Sequence, residues 1–513
     1  MRFFNTTGPC DESRHYMLPP EQRLPALNRR IAQGEYFVVH APRQTGKTTA
    51  MQALSRRLTA EGTYAALYFS CERARAFPDD VGAAERTLWA AVERAARFAL
   101  PEALRPGPRL EETAGSFLHL QLSEWAARCP RPLALVFDEI DALTGEPLRA
   151  VLSQLRDGFI SRSLTPFPHS VILCGVRDVR DYKVASGGDP AHASTGSPFN
   201  IKAASLRLAD FTEAEVRTLY SQHTAETGQP FAEEALALAW HLTRGQPWLV
   251  NALAREVLEG AGLTPGAPIT AAHIDAAKDR LILARQTHLD SLVERLHEDR
   301  VRKVIGPILA GTTVSGDVLN DDLMYARDLG LVRLEPQLRI ANPIYAEVIP
   351  RALTHVLQAN ITQEMAWYER EDGSLDMAAL LEAFQEFFAQ NSEAWRERFA
   401  YQEAGPHLIL MAFLQRLING RGSITREFAI GSGRADLVLQ WKGCSYVLEL
   451  KIRRDTRAIE RGVAQLSAYL DRLGEEEGWL VVFDPRTTLT WEEKLYDKQL
   501  TGTNNKLIHL FGA

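Results

Sequence analysis

The chain runs to 513 residues, long for a single hydrophobic core, so roughly two to four domains are expected. Apolar residues make up 45% and charged residues 24%, the balance of a globular protein and not of a membrane-embedded or disordered one. A net charge of −7 excludes a generally basic nucleic-acid coat, so any contact with DNA has to come from local patches.

The opening MRFFNTTGPC lacks a basic segment followed by an apolar one, so no secretion signal is read there. No run is long enough to span a bilayer, which argues against a membrane partner. The cysteines Cys10, Cys71, Cys129, Cys174 and Cys444 are scattered, odd in number and outside any CxxC or Cys/His cluster. That usage suits a reducing, cytoplasmic compartment.

In chain order, residues 1–34 form an arm ahead of the first strand, carrying His15-Tyr-Met-Leu-Pro-Pro20. The stretch Glu35 to Ala50, EYFVVHAPRQTGKTTA, follows. Tyr36 to His40 reads as a short buried strand, Ala41 to Thr48 as a loop, and Thr48-Thr49 as a helix start. Strand, loop and helix in that order make the setting of a phosphate-binding loop: backbone N–H groups from Gly46 onward and the positive helix end converge on a polyphosphate. Lys47 supplies a charge for the outer phosphates, the Thr48 hydroxyl serves Mg²⁺, and Thr49 follows at the helix start. Ala41 stands where such loops usually begin with glycine. Two readings of the arm stay open, a wall of an adenine pocket or an ordered surface arm.

Tyr64 to Ser70 reads as a second strand. Ala83 to Ala99 and Leu118 to Ala127 read as helices parted by the Pro-rich break Pro101 to Pro108. Pro132 to Leu143 then gives a wholly apolar strand ending in Asp138-Glu139, a Walker B pattern about 90 residues beyond the GKT. Asp138 is placed to hold the Mg²⁺ shell, and Glu139 to orient water for attack. A further strand, His169 to Gly175, leads into Val176-Arg177-Asp178-Val-Arg180-Asp181. Arg177 or Arg180 could serve as a sensor of the γ-phosphate or as an arginine finger in trans, and surface ion pairing with Asp178 and Asp181 is equally open. Gly187 to Ser197 has the Gly/Ser-rich composition of a mobile segment.

Thr212 is set as an N-cap with Glu213 and Glu215 in the first turn behind it, and amphipathic helices run on to about Leu296. Thr243-Arg244-Gly-Gln-Pro-Trp248-Leu-Val-Asn251 breaks and restarts them as a small helical lid would, which makes Arg244 a candidate contact to the nucleotide. APRQTGKT, LVFDEID, VILCGVRD and RGQPWLVN together resemble the AAA+/STAND-type ATPases, in particular the AAA-like group related to archaeal and origin-recognition proteins, over residues 1–298. The resemblance implies ATP–Mg²⁺ binding, regulated hydrolysis and assembly into a homo-oligomer.

Residues 299–355 read as helices over Val301 to Leu309 and Asn320 to Leu329, then two short strands within Leu331 to Ile340. The order resembles a winged-helix domain, whose recognition helix would here be acidic and poorly suited to phosphates. A packing or interaction role is favoured. Residues 356–399 read as a helical connector broken at Glu371-Asp-Gly-Ser.

The last stretch, 400–513, carries separate chemistry. Glu403 precedes an apolar-striped helix to Ile418. Arg434-Ala-Asp436 then opens one strand, and Ser445 to Ile452 carries Glu449 and Lys451 on another. In an antiparallel hairpin Asp436 and Glu449 can converge on Mg²⁺, with Glu403 as a further ligand from the helix. Lys451 shares a face with Glu449 because strand side chains alternate. Such a metal (Mn²⁺ as well as Mg²⁺) activates water against a phosphodiester while the lysine stabilises the developing charge. Gly433, Asp436, Glu449, Lys451, Gln465 and Tyr469 fall in the order G-x-x-D, E-x-K, Q-x-x-x-Y and resemble the PD-(D/E)XK nucleases, with Gln and Tyr as in their RecB-like branch. The resemblance implies that Gln465 and Tyr469 support the site or contact DNA. Arg426, Arg434, Arg453, Arg454, Arg457 and Arg461 flank the motif and suit a polyanion or, for the pair Arg457 and Arg461, a solvated helix face.

The fold class expected is α/β: a P-loop core over 35–205, a lid over 206–298, a winged-helix-like unit, a connector and a restriction-endonuclease-like domain. The function expected is an ATP-regulated, metal-dependent nuclease acting on DNA, in a setting such as defence against foreign DNA. A signalling or scaffold ATPase whose last domain binds nucleic acid without cutting is the alternative, and a DNA translocase or loader a third reading.

Overall fold

A computed structural model describes residues 2–176, 204–260, 266–284, 287–309, 320–335, 338–359, 368–398, 405–418, 422–426, 437–453, 455, 457–486 and 488–513. Two compact units result, Met1–Ala284 with Asp328–Gly330, and Arg285–Arg327 with Leu331–Ala513.

The first unit is built on five strands: β1 (Tyr36–His40), β2 (Ala65–Ser70), β3 (Leu133–Asp138), β4 (Ser170–Gly175) and β5 (Ala204–Arg207), in the order β2-β3-β4-β1-β5 with every pairing parallel. Parallel strands need crossovers, and helices α1 (Leu27–Ala32), α2 (Lys47–Ala60), α3 (Val81–Ala99), α4 (Phe117–Arg128) and α5 (Gly145–Ser161) accompany them. The strand YFVVH shows why both faces are covered. Tyr36 and Val38 enter a cluster with Trp89, Trp125 and Phe137, whereas Phe37 and Val39 enter another with Met51, Leu54 and Ile172. A strand buried on both faces reads as a continuous apolar run, as β1 and β3 do. Trp89 and Trp125 are edge-to-face at 6.2 Å, and the Trp125 indole N–H donates to the Leu104 carbonyl at 3.0 Å.

Among the described residues four more helices belong to this unit: α6 (Glu213–Thr227), α7 (Glu233–Thr243), α8 (Pro247–Gly260) and α9 (Ala271–Leu283). Thr212 caps α6 as expected, its hydroxyl accepting from the Glu215 N–H at 3.2 Å while the Glu215 carboxylate accepts from the Thr212 N–H at 2.7 Å. Between α7 and α8 a β-carbon on Gly245 would lie 1.9 Å from the Phe211 carbonyl oxygen, and its φ is +79°, so only glycine makes this junction. The stretch from Arg2 to Pro20 is tied to this unit by buried Phe4 and Tyr16, whose rings lie 4.9 Å apart, with Phe4 5.4 Å from Tyr220 of α6.

The second unit opens with helices α10 (Thr287–Arg295), α11 (Asp299–Leu309) and, up to Arg327, α12 (Asp321–Asp328), and a two-stranded ribbon, β6 (Val332–Arg333) against β7 (Arg339–Ile340). Asp322 of α12 is paired to Arg300 of α11 at 2.7 Å, so part of the acidity of α12 is neutralised within the unit. Next come α13 (Pro343–Ala359), α14 (Met377–Arg398) and α15 (Gly405–Ile418). They precede a six-stranded mixed sheet of β8 (Gly422–Arg426), β9 (Leu437–Trp441), β10 (Cys444–Ile452), β11 (Glu477–Phe483), β12 (Tyr496–Thr501) and β13 (Leu507–Gly512), in the order β12-β13-β11-β10-β9-β8. Helix α16 (Ala458–Leu473) is the crossover between the parallel strands β10 and β11, and packs on the face carrying Val447, Leu480, Val482 and Leu510.

The opposite face is met by α14, at the place where the sequence suggests a connector. Phe384 and Phe388 pack on Phe483 at 6.2 and 5.5 Å, and Gln385 Nε2 donates to the Gly512 carbonyl at 2.6 Å. Over its described residues this helix therefore belongs to the packed unit, because a sheet with an apolar second face has to bury it. Among the described residues no helix is long and apolar enough to cross a membrane.

His288 on α10 is buried and its Nε2 lies 2.6 Å from the Tyr345 hydroxyl; burial pulls the imidazole from its ordinary 6.5 down to about 4. The folded state resists the proton that the unfolded chain accepts first. Stability of this unit is therefore full above the unfolded pKa and falls by about 3 kcal/mol as pH is lowered toward about 4. Urea unfolding of the full chain, followed by its tryptophan fluorescence between about pH 7.5 and 4.5, measures this slope, which His288→Phe flattens.

Candidate functional site

At the carboxyl end of β1 the chain turns through Ala41 to Gly46 into α2. Two left-handed residues make that turn, Gln44 at φ +58° and Gly46 at φ +88°. Gly46 caps α2 without a side-chain bond, which leaves the first N–H groups of the helix available to an anion. The Lys47 ammonium folds back to donate to the carbonyls of Ala41 at 2.6 Å and Pro42 at 2.9 Å. Burial pulls its pKa below the usual ammonium range, with Asp138 and Asp141 pulling the other way. Thr45 is fully buried and its hydroxyl donates to the Pro42 carbonyl at 2.9 Å, which fixes the loop's shape.

Across from the loop, at the end of β3, lies Asp138. Its Oδ2 accepts from the Thr48 hydroxyl at 2.8 Å and from the Tyr68 hydroxyl at 2.7 Å, and its Oδ1 accepts from the Glu139 N–H at 2.9 Å. Burial, with the Asp138 charge beside it, pushes the Tyr68 phenol well above its ordinary range, so the phenol remains a donor. Glu139 is exposed, has φ +56° and holds its carboxylate against the Ser70 hydroxyl at 2.6 Å. A non-glycine residue held in this region costs about 1–3 kcal/mol, a cost met most often at working sites. Asp141 accepts from the Val176 N–H at 2.5 Å and so joins the end of β3 to the end of β4.

The structure thus brings together Gly46, Lys47, Thr48, Asp138 and Glu139 of the residues read from sequence. Thr49 is buried, and its hydroxyl accepts from the Cys10 N–H at 3.0 Å, so it anchors the arm. Arg177 and Arg180 lie outside the described residues. Arg244 ends α7 at φ +48°, its guanidinium 3.2 Å from His241 Nδ1. Tyr68 and Ser70 were not singled out in the sequence, although polar groups two apart at the carboxyl end of an apolar strand are a signal. Register pairs Ser70 with Asp138.

Beside the loop opens a cleft walled by the arm (Tyr16, Leu18), by Phe211 and by Trp248 of α8. The Trp248 indole N–H donates to the Thr6 carbonyl at 2.9 Å, and Gln222 of α6 brackets Met17 with bonds of 2.9 and 3.3 Å to its carbonyl and N–H. Arg23 stacks 4.7 Å over Phe211 and donates to the Thr45 carbonyl at 2.7 Å; burial lowers its pKa to about 10, so it stays charged.

In the second unit Lys451 donates to Glu449 at 2.5 Å and to the side-chain Oε1 of Gln465 on α16 at 3.1 Å. Glu449 is fully buried on the helix-covered face of β10. A β-carbon on Gly462 would lie 2.8 Å from Leu480 and 3.2 Å from Lys451, so glycine lets α16 come this close. Strands β9 and β10 are antiparallel, and Leu437, next after Asp436, pairs with Leu448, next before Glu449. Asp436 and Glu403 themselves lie outside the described residues. Tyr469 sits in the apolar cluster with Leu466 and Val482, with the Arg472 guanidinium 5.5 Å from its ring. Arg461 is paired to Asp455 at 2.8 Å and Arg453 to Asp484 at 3.7 Å. Among the described residues no three His, Cys, Asp or Glu side chains gather as a metal cluster.

Sheet order, loop and carboxylate together define an α/β protein with a parallel-sheet P-loop ATPase-like core. Residues 21–165 match the model of the AAA ATPase domain, so the chain carries such a domain there. Solved structures similar to the chain include a Walker-type ATPase of Pyrococcus abyssi, 14% identical, with 67% of this chain and 99% of that one covered and a TM-score of 0.46. The RuvB Holliday junction branch migration motor of Thermotoga maritima is 12% identical over 64% of this chain and 92% of its own, with a TM-score of 0.35. The Orc1 protein of Aeropyrum pernix, solved in complex with DNA, is 15% identical over 66% and 93%, with a TM-score of 0.32. Alignments this remote say nothing of the substrate or partner of the present chain. No curated protein matches the sequence significantly.

All five cysteines are free, and burial pushes the Cys71 and Cys174 thiols on either side of Asp138 far above their ordinary range. Exposed Cys444 is therefore expected to react first with a thiol-selective disulfide reagent at about pH 8, whereas Cys71 and Cys174 react only after denaturation. Peptide mapping of the labelled protein checks this order.

Proposed function

We propose that the chain is an ATP-hydrolysing switch joined to a metal-dependent nuclease, with DNA as the favoured substrate. The observation that carries the first half is the Thr48–Asp138 bond, which joins the start of α2 to the end of β3 across the place a nucleotide's outer phosphates would take. Thr48 and Asp138 are the residues that would hold Mg²⁺, and their neutral and anionic oxygens fit a hard cation. When bound, that ion screens the phosphate charge. Lys47 would exchange its two carbonyl acceptors for phosphate oxygens. Glu139, held by Ser70, would orient the attacking water at the γ-phosphate.

The second half is supported by the contact of Glu449, Lys451 and Gln465 on one face of the β9–β10 hairpin. Asp436, Glu449 and Glu403 would hold Mg²⁺ or Mn²⁺, which would supply activation of water, while Lys451 would steady the negative charge that develops on the attacked phosphodiester. Residues 299–355 are proposed as a winged-helix unit in a packing role, because the acidic α12 pairs inwardly at Asp322. Nucleotide-driven assembly into homo-oligomers is part of the same proposal. One observation favours the non-cutting scaffold instead: Lys451, Arg453 and Arg461 all have carboxylate partners within the chain.

Purified protein with plasmid or linear DNA, with Mg²⁺ or Mn²⁺ and with or without ATP, separates these readings. Lys47→Ala is expected to lose nucleotide binding, and Glu139→Gln to keep binding but slow hydrolysis by about 10²–10³-fold. Asp436→Ala and Lys451→Ala are expected to abolish cutting and leave ATP turnover unchanged. Cutting that survives both changes would refute the nuclease assignment.

A further inference from the structure

The cleft beside the phosphate loop contains a buried acceptor that finds no donor among the described residues. Asn251 stands on α8, one turn after Pro247, and is 8% exposed. Its Nδ2 donates to the Pro247 carbonyl oxygen at 2.8 Å, a bond only the nitrogen end of the amide can make. Orientation of the amide is thereby settled, and Oδ1 is left buried without a donor among the described residues.

The other side-chain acceptors lining the cleft are engaged, while on the donor side Arg23 Nε has no acceptor among the described residues. Asn5 donates to the Gly8 carbonyl and accepts from the Thr7 N–H, the Thr49 hydroxyl accepts from Cys10, and the Tyr16 hydroxyl lies 3.4 Å from His223 Nδ1. Among the buried side-chain acceptors of this lining, Asn251 Oδ1 alone has no donor among the described residues. Buried acceptors are nearly always satisfied, and one that is not calls for a missing partner. A donor brought in by whatever lies between the apolar walls would satisfy it.

We infer that Asn251 selects the base of the bound nucleotide by accepting a hydrogen bond from the exocyclic 6-amino group of adenine. The inference rests on the ATP-binding reading above. Adenine is flat and apolar on its faces, which suits walls of Tyr16, Leu18, Phe211 and Trp248, and it presents an N–H donor at its edge. Guanine presents a carbonyl at the same position, so two acceptors would face one another with no hydrogen between them. A site built around one polar partner discriminates strongly against a ligand that leaves it unpaired.

The test uses the full chain and three ligands competed against a fluorescent ATP analogue: ATP, GTP and purine riboside triphosphate, which is ATP without the 6-amino group. Wild-type protein is expected to bind ATP about tenfold more tightly than purine riboside triphosphate, the scale of one neutral hydrogen bond. Asn251→Leu, close in shape but without the acceptor, is expected to bring ATP down to the level of purine riboside triphosphate and leave the latter unchanged. Equal loss for all three ligands in Asn251→Leu, or equal wild-type affinity for ATP and purine riboside triphosphate, would overturn the assignment while leaving nucleotide binding intact. The wild-type ligand series needs no variant and decides the question even if Asn251→Leu does not fold. Wild-type protein that binds none of the three would sink the ATP reading itself.

Discussion

The carboxylate of Asp138 is the point on which the first unit depends. It ends the wholly buried β3 and accepts from Thr48 at the start of α2, from Tyr68 on the neighbouring strand and from the N–H of Glu139. A carboxylate with so little solvent contact is tolerable only when it is well hydrogen-bonded, and three donors reach it. Those donors come from three separate pieces of chain. The phosphate loop, the sheet edge and the turn that carries Glu139 are therefore set relative to one another by a single side chain.

The second unit handles a buried carboxylate differently. Glu449 has an ammonium, the half-buried Lys451, as partner, and burying the carboxylate carries a desolvation cost that their attraction only partly offsets. Breaking such a pair by removing one partner is more harmful than never having had it, which makes Lys451 and Glu449 a unit in structural terms whatever chemistry they perform. Gln465 adds a neutral acceptor to the same ammonium, and Gly462 supplies the close approach that makes this possible.

How much of this was legible in the sequence varies with the physics behind each element. The GKT loop and the apolar strand ending in Asp138-Glu139 were readable because backbone geometry and burial leave few residue types at those positions. The second strand and the Thr212 cap were readable for the same reason, and fell within a residue or so of the observed bounds. Tyr68 and Ser70 were missed because their role comes from register with β3, a property of the sheet and not of either strand alone. Residues 356–399 looked like a connector because Phe384, Gln385 and Phe388 show their purpose only when the sheet they cover is in place. Asn251 falls within the lid break, but an unfilled acceptor has no sequence signature.

The arm before the loop is fastened at Cys10 to α2, at Met17 to α6 and at Thr6 to α8. Three elements thus share one short tether, and the cleft lies among them. Thermodynamic reciprocity then applies: any occupant that favours one spacing of these helices strengthens the tether's hold at that spacing, and a change that loosens the tether weakens the occupant by the same free energy. Seen so, this stretch of chain is a clamp whose tightness and whose cargo are two readings of one equilibrium.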